Sequence, residues 1–106
     1  MQARTMIFGL ALGLLGPVAA FAAGPFQEAN AERWGATYAT VTPVRADAGL
    51  CAKACAADEK CKAWTYVKPG VRSKAPYCDL KSAVPMVTAS PCCVSGLTVG
   101  SYIAGK

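Results

Sequence analysis

The sequence predicts an α+β fold: a small disulfide-stapled module with one helix packed on an antiparallel sheet. Three observations carry that expectation. Six cysteines, an even number, sit in a 106-residue chain that opens on an export signature. One alanine-rich stretch, Asp47 to Ala57, holds the only clear run of helix formers. The remaining segments are rich in β-branched and aromatic residues and are punctuated by proline and glycine, which reads as several strands.

The chain opens MQARTMIFGLALGLLGPVAAFAAGP. Arg4 supplies a positive start, Met6 to Gly16 is an uncharged apolar run, Pro17 breaks it, and Ala20, Phe21 and Ala22 form a small-residue cleavage signature. That is the three-part pattern of a secretory signal peptide, and its apolar run is shorter than the ~20 residues a membrane-spanning helix needs. The expected organisation is a signal peptide over residues 1–22, a flexible N-terminal segment over 23–33 and the folded domain over 34–106. The protein is therefore expected to be exported, periplasmic or extracellular, with no stable membrane insertion after cleavage.

Residues 23–106 keep all six cysteines and carry ten Lys/Arg against six Asp/Glu, a net charge of +4. A chain this short buries only ~60% of its unfolded surface, so its core alone is marginal. Exported chains of this size commonly add disulfides. A zinc site would favour C-x2-C knuckles and histidine, and this sequence has neither. A thioredoxin-like centre wants C-x-x-C, whereas Cys51 and Cys55 are spaced C-x3-C, one helical turn apart. Staples are the reading that survives.

Thr37, Tyr38, Thr40, Val41 and Thr42 favour a strand that Pro43 ends. Asp47 is a helix N-cap, and the helix runs to about Ala57. Leu50, Cys51, Ala54 and Cys55 share one helix face. Cys61 to Val67 reads as a strand, Lys68 to Pro76 as a basic hairpin loop, and Tyr77 to Lys81 as the return strand. The segment from Ser82 to Pro91, with two prolines, reads as a loop. Cys92 to Ile103 reads as one strand or two short ones with a bend at Gly96. A lone helix must bury its face on the sheet, which brings its cysteines within reach of Cys61 and Cys78.

The run C-x3-C-x5-C-K-A-W-T-Y from Cys51, the strand Y-C-D-L-K from Tyr77, and P-C-C-V-S-G from Pro91 together resemble the PAN/Apple domain superfamily, in its short bacterial form. The resemblance covers about Trp34 to Val99. It implies one helix on a curved antiparallel sheet, with helix-to-sheet disulfides Cys51–Cys78 and Cys55–Cys61, one of fifteen pairings open to six cysteines. It also implies adhesion or capture of a protein or carbohydrate ligand. Cys92 and Cys93 depart from the pattern, because no cysteine precedes Cys51 to tie the chain ends. Adjacent Cα atoms lie ~3.8 Å apart, below the usual disulfide range, and neighbouring strand side chains point to opposite faces. Three readings of the pair stand: a vicinal Cys92–Cys93 bridge, a reshuffled pairing with the other four, and free or intermolecular thiols.

Without histidine there is no histidine-based triad, general base or metal ligand. Glu28 and Glu32 fall in the segment expected to be flexible, Asp47 is a cap, Asp58 and Glu59 sit in a turn, and Asp79 reads as solvated. No pair of them makes an acid/base couple, and no phosphate loop, nucleophile elbow or dinucleotide fingerprint occurs. No catalytic residue, cofactor or metal site is expected.

Lys62, Lys68, Arg72, Lys74 and Lys81 cluster along the central hairpin in sequence. They form either a solvated basic loop or a patch for acidic glycan, anionic polymer or an acidic protein face. Trp64 and Tyr66 alternate with Cys61, Ala63 and Thr65. They either fill the core against the helix or form an exposed aromatic stripe suited to sugar stacking or protein contact. Cys61 should face the helix, which argues for the stripe, although a bulge would reconcile both. The expected function is an exported, non-catalytic recognition module for carbohydrate, such as an acidic glycan or polysaccharide, or for protein. The alternatives are an accessory subunit of the cell envelope and a redox-sensitive protein using Cys92 and Cys93. Export disfavours nucleic acid as a partner.

Overall fold

Asp47 starts the helix through its backbone and its side chain together. Its extended conformation (φ −147°, ψ 110°) lets its carboxylate accept the Gly49 N–H at 2.8 Å, one of the amides a first turn leaves open. Helix α1 spans Ala48–Ala56, and the Ala57 N–H donates back to the Lys53 carbonyl to close it. The structure, a computed structural model, describes residues 27–98 and Gly100; the expected signal peptide and its cleavage point lie outside the described residues.

Among the described residues five strands make one sheet: β1 Gln27–Arg33, β2 Thr37–Val41, β3 Ala63–Val67, β4 Tyr77–Lys81 and β5 Val87–Leu97. Their order is β1-β5-β3-β4-β2, antiparallel at every pairing. The two edge strands, β1 and β2, are joined by only Trp34, Gly35 and Ala36. A flat five-strand sheet would hold its edges about 19 Å apart, and the four Cα–Cα links from Arg33 to Thr37 reach about 14 Å at most. The sheet must therefore curl to bring these two strand ends closer than a flat sheet allows. Gly35 (φ +96°) takes the left-handed turn this requires, and Ala36 follows at φ +60°. The Ala36 carbonyl accepts the Ser82 N–H at 2.9 Å, which ties the turn to the end of β4.

The register separates the two faces. Trp64 lies beside Leu80 and Gly96, and Tyr66 beside Cys78 and Val94. This face packs on α1, where Cys51, Cys55, Cys61, Trp64, Tyr66, Cys78 and Leu80 form one buried cluster. Two staples cross it: Cys51–Cys78, with Cα atoms 5.4 Å apart, and Cys55–Cys61, at 5.1 Å. The opposite face carries Thr65, Ser95, Lys81, Val67 and Cys93, all buried beneath the curl. There the Arg33 N–H donates to Thr65 Oγ1 at 3.3 Å, Thr65 and Ser95 hydroxyls meet at 2.8 Å, and Ser95 Oγ donates to the Ala31 carbonyl at 2.9 Å. Strand β3 is thus covered on both sides, and all five of its residues are buried.

Three expectations need correction. Residues 27–33 are a paired edge strand, with Ala31, Glu32 and Arg33 buried, so the structured region begins before Trp34. Its polar sequence QEANAER looks like a loop, but its charged side chains are paired, Arg33 with Glu28 in the same strand and Glu32 with the distant Arg72. Val87 to Pro91 belongs to β5 instead of the preceding loop. The β1–β5 register jumps from Ala29↔Val94 to Ala31↔Ala89, which leaves residues 90–93 in a bulge where Pro91 owes β1 no N–H. The apparent conflict between Cys61 and Trp64 disappears because β3 begins at Ala63. Cys61 lies in the preceding turn, its N–H on the Asp58 carbonyl, so strand alternation does not govern it.

Candidate binding surface

The residues singled out by sequence go to four different places. Trp64 and Tyr66 are 1% and 5% exposed in the helix-facing core, so neither forms an aromatic stripe. Burial holds the Tyr66 hydroxyl above its ordinary pKa, with the Asp47 charge adding to it. Lys81 is also buried, and its ammonium donates to the Gly35 carbonyl at 3.1 Å and to Thr37 Oγ1 at 2.9 Å. Desolvation lowers its pKa, against the raising effect of Asp79 and Glu32. Lys81 is a clamp on the β1–β2 turn and no part of a basic patch. Lys62 is exposed but precedes β3 while Lys68 follows it, so the two stand roughly 20 Å apart along the strand.

Lys68, Arg72 and Lys74 remain, on the hairpin between β3 and β4. Lys68 lies against β5: its N–H donates to the Cys92 carbonyl at 3.0 Å and its ammonium to the Pro91 carbonyl at 2.9 Å. Lys74 is exposed. Arg72 reaches back to β1, where its Nη1 and Nη2 donate to Glu32 Oε2 and Oε1 at 2.5 and 3.0 Å. The Glu32 hydrogen bonds raise the Arg72 pKa well above its ordinary value, outweighing partial desolvation. The same guanidinium lies 5.0 Å from the centroid of the Trp34 ring.

Trp34 is the residue that sequence reasoning passed over. It sits at the outer corner where the curled sheet closes, and 64% of it is exposed. The corner is braced on its other side by Arg33, whose Nε and Nη2 donate to Glu28 at 3.1 and 2.7 Å and whose Nη1 donates to the Pro85 carbonyl. Glu32 was equally hidden, because no local signal pairs it with a residue forty positions away. A tryptophan followed directly by glycine after a polar run was the available sign of an exposed turn aromatic.

Beside this corner lies the bulge of β5, where Cys92 and Cys93 are bonded to each other with Cα atoms 3.7 Å apart. Cys93 is buried, Cys92 half-buried, and Cys92 Sγ lies 3.6 Å from Glu32 Oε1. Ser90 Oγ donates to Cys92 Sγ at 3.1 Å.

Residues 31–81 match the family model of the PAN domain. They form a PAN domain. The match runs from the buried end of β1 through β4 and takes in both helix-to-sheet staples, Glu32, Trp34 and the whole hairpin. Strand β5, with Cys92 and Cys93, lies beyond it. PAN domains mediate protein or carbohydrate interactions. No curated protein matches the chain.

Proposed function

We propose that this PAN domain is an exported, non-catalytic module that binds acidic carbohydrate at the Trp34–Arg72 corner and the adjoining Lys68–Pro76 hairpin. One observation supports this above others: a broadly exposed indole is overlaid by a guanidinium that a buried carboxylate holds in place. The apolar face of a sugar ring stacks on an indole, and fixed N–H donors beside it select hydroxyl and carboxylate oxygens. Glu32 occupies two of the five guanidinium N–H groups and the Tyr77 hydroxyl engages the guanidinium as well, so Arg72 keeps at most two for a ligand. Lys68 and Lys74 supply positive charge that Glu32 does not offset.

The test is an array of neutral and uronate- or sulfate-bearing glycans, probed with the oxidised exported protein at two salt concentrations. Binding should favour the anionic polymers and weaken as salt rises. Trp34→Ala should reduce it about tenfold, the loss expected of one well-placed aromatic contact. Absence of binding at low salt, or binding that Trp34→Ala leaves unchanged, overturns the reading.

A further inference from the structure

We infer that Cys92, Cys93 and Glu32 form a site for a thiophilic divalent metal ion of the zinc type, which opens when the Cys92–Cys93 bond is reduced. This site shares Glu32 with the proposed carbohydrate surface, where that carboxylate holds Arg72, but it does not rest on that reading. Cys92 Sγ, Cys93 Sγ and a Glu32 carboxylate oxygen all lie within 4.8 Å of one another. A tetrahedral site with Zn–S near ~2.3 Å and Zn–O near ~2.1 Å spaces its ligands about 3.5–3.8 Å apart, so small side-chain rotations are enough. Two thiolates with one carboxylate are a ligand set that favours zinc over magnesium or calcium. A fourth position is left for water or a ligand, reached from the half-buried Cys92 side.

The surroundings favour the metal-binding form. Residues 90–93 bulge out of register with β1, so the two sulfurs can separate without breaking a β1–β5 pair. Arg72 sits on Glu32, and the Lys68 ammonium on the Pro91 carbonyl, so two cations border the three ligand residues. Once both thiol protons are displaced, the three ligands carry three negative charges against those two positive ones, and a divalent cation offsets the difference. In the cell the reductant is a dithiol. It transfers two electrons and two protons to the sulfurs, the Cys92–Cys93 bond breaks, and the reductant closes its own disulfide. Metal binding then releases those two thiol protons to solvent.

The experiment uses a trialkylphosphine, which does not ligate through thiol; water gives its oxygen to phosphorus and its two hydrogens to the sulfurs. Mild treatment of the folded protein, followed by mass mapping of alkylated cysteines, should show Cys92 and Cys93 reduced first. Cobalt(II) is then titrated anaerobically, with zinc as competitor. One cobalt should bind per reduced chain with sulfur-to-cobalt charge-transfer absorption, zinc should displace it, and oxidised protein should show neither. Glu32→Gln should keep the absorption and weaken affinity about tenfold or more. Alkylating Cys92 and Cys93 in the wild-type chain should abolish binding, which avoids relying on a cysteine variant that fails to fold. Prior reduction of Cys51–Cys78, absence of charge transfer in chains with both sulfurs released, binding that survives alkylation, or unchanged affinity in Glu32→Gln would each overturn the site.

Discussion

Arg72 donates two hydrogen bonds to Glu32, at 2.5 and 3.0 Å, between the β3–β4 hairpin and the edge strand β1. The partners are unequal: the Glu32 side chain is 5% exposed and that of Arg72 35%. Removing one or the other therefore has different consequences. Arg72→Ala leaves a buried carboxylate without its counter-charge and should destabilise by about 3 kcal/mol. Glu32→Ala leaves a guanidinium that can turn to water and should cost about 1 kcal/mol. Urea denaturation of both variants checks the order, and equal losses would show that the carboxylate is better hydrated than its burial indicates.

The two tryptophans should behave as opposites. Trp64 is fully enclosed between α1 and the sheet, so Trp64→Ala removes the largest side chain of the core and should cost about 3–5 kcal/mol. Trp34→Ala removes an exposed ring and should change stability by no more than about 1 kcal/mol. Thermal unfolding of the two variants under oxidising conditions measures the contrast. A large loss for Trp34→Ala would mean that the ring holds the curled edge closed.

The helix cap offers a smaller effect of definite sign. Asp47→Ala removes the acceptor of the Gly49 N–H and should lower stability by about 1 kcal/mol. Asp47→Asn keeps a side-chain oxygen at the same place and should recover most of that loss. If both variants lose equally, the charge of Asp47 matters more than its hydrogen bond.

What was legible in the sequence follows from how local each cause is. Asp47, the alanine-rich helix and strands β3 and β4 are set by neighbours in the chain, and the structure places them where pattern and capping rules do. The same holds for the hairpin signalled by Pro69 and Gly70, where Gly70 takes φ +84°. Strand β1 was illegible because its burial depends on Arg72 and Pro85, more than thirty residues away, which make polar side chains acceptable inside. The basic cluster failed for a related reason. Proximity in sequence put Lys62 and Lys81 beside Lys68, whereas the sheet sends Lys62 to the other end of β3 and turns Lys81 beneath the curl. Trp34 and Trp64 could not be ranked by residue type alone, since only the three-residue closure between β1 and β2 exposes the former.

The turn that follows α1 carries a titration with two limbs. Tyr38 Oη donates to Asp58 Oδ2 at 2.8 Å, and the Lys60 N–H donates to Asp58 Oδ1 at 3.0 Å. The Lys60 backbone bond, then the Tyr38 bond, hold the Asp58 pKa below its usual value. Its stabilising effect is present above the ordinary aspartate range and is lost as pH falls through the lowered value. Tyr38 is pushed up to about 12, first by partial burial and then by the bond to Asp58 and its charge. That group stabilises fully below its ordinary pKa of 10.0 and ceases to do so as pH rises toward about 12. Tyrosinate absorbance should therefore show one tyrosine, absent in Tyr38→Phe, ionising near 12. In Asp58→Asn that titration should fall without reaching the ordinary value, because burial, the largest cause, remains. Tyr38→Phe should in turn move the acid unfolding limb only slightly, since the Lys60 bond to Asp58 persists. A Tyr38 that ionises at its ordinary pKa in the wild-type chain would show that the hydroxyl faces water and that the turn is not tied to β2.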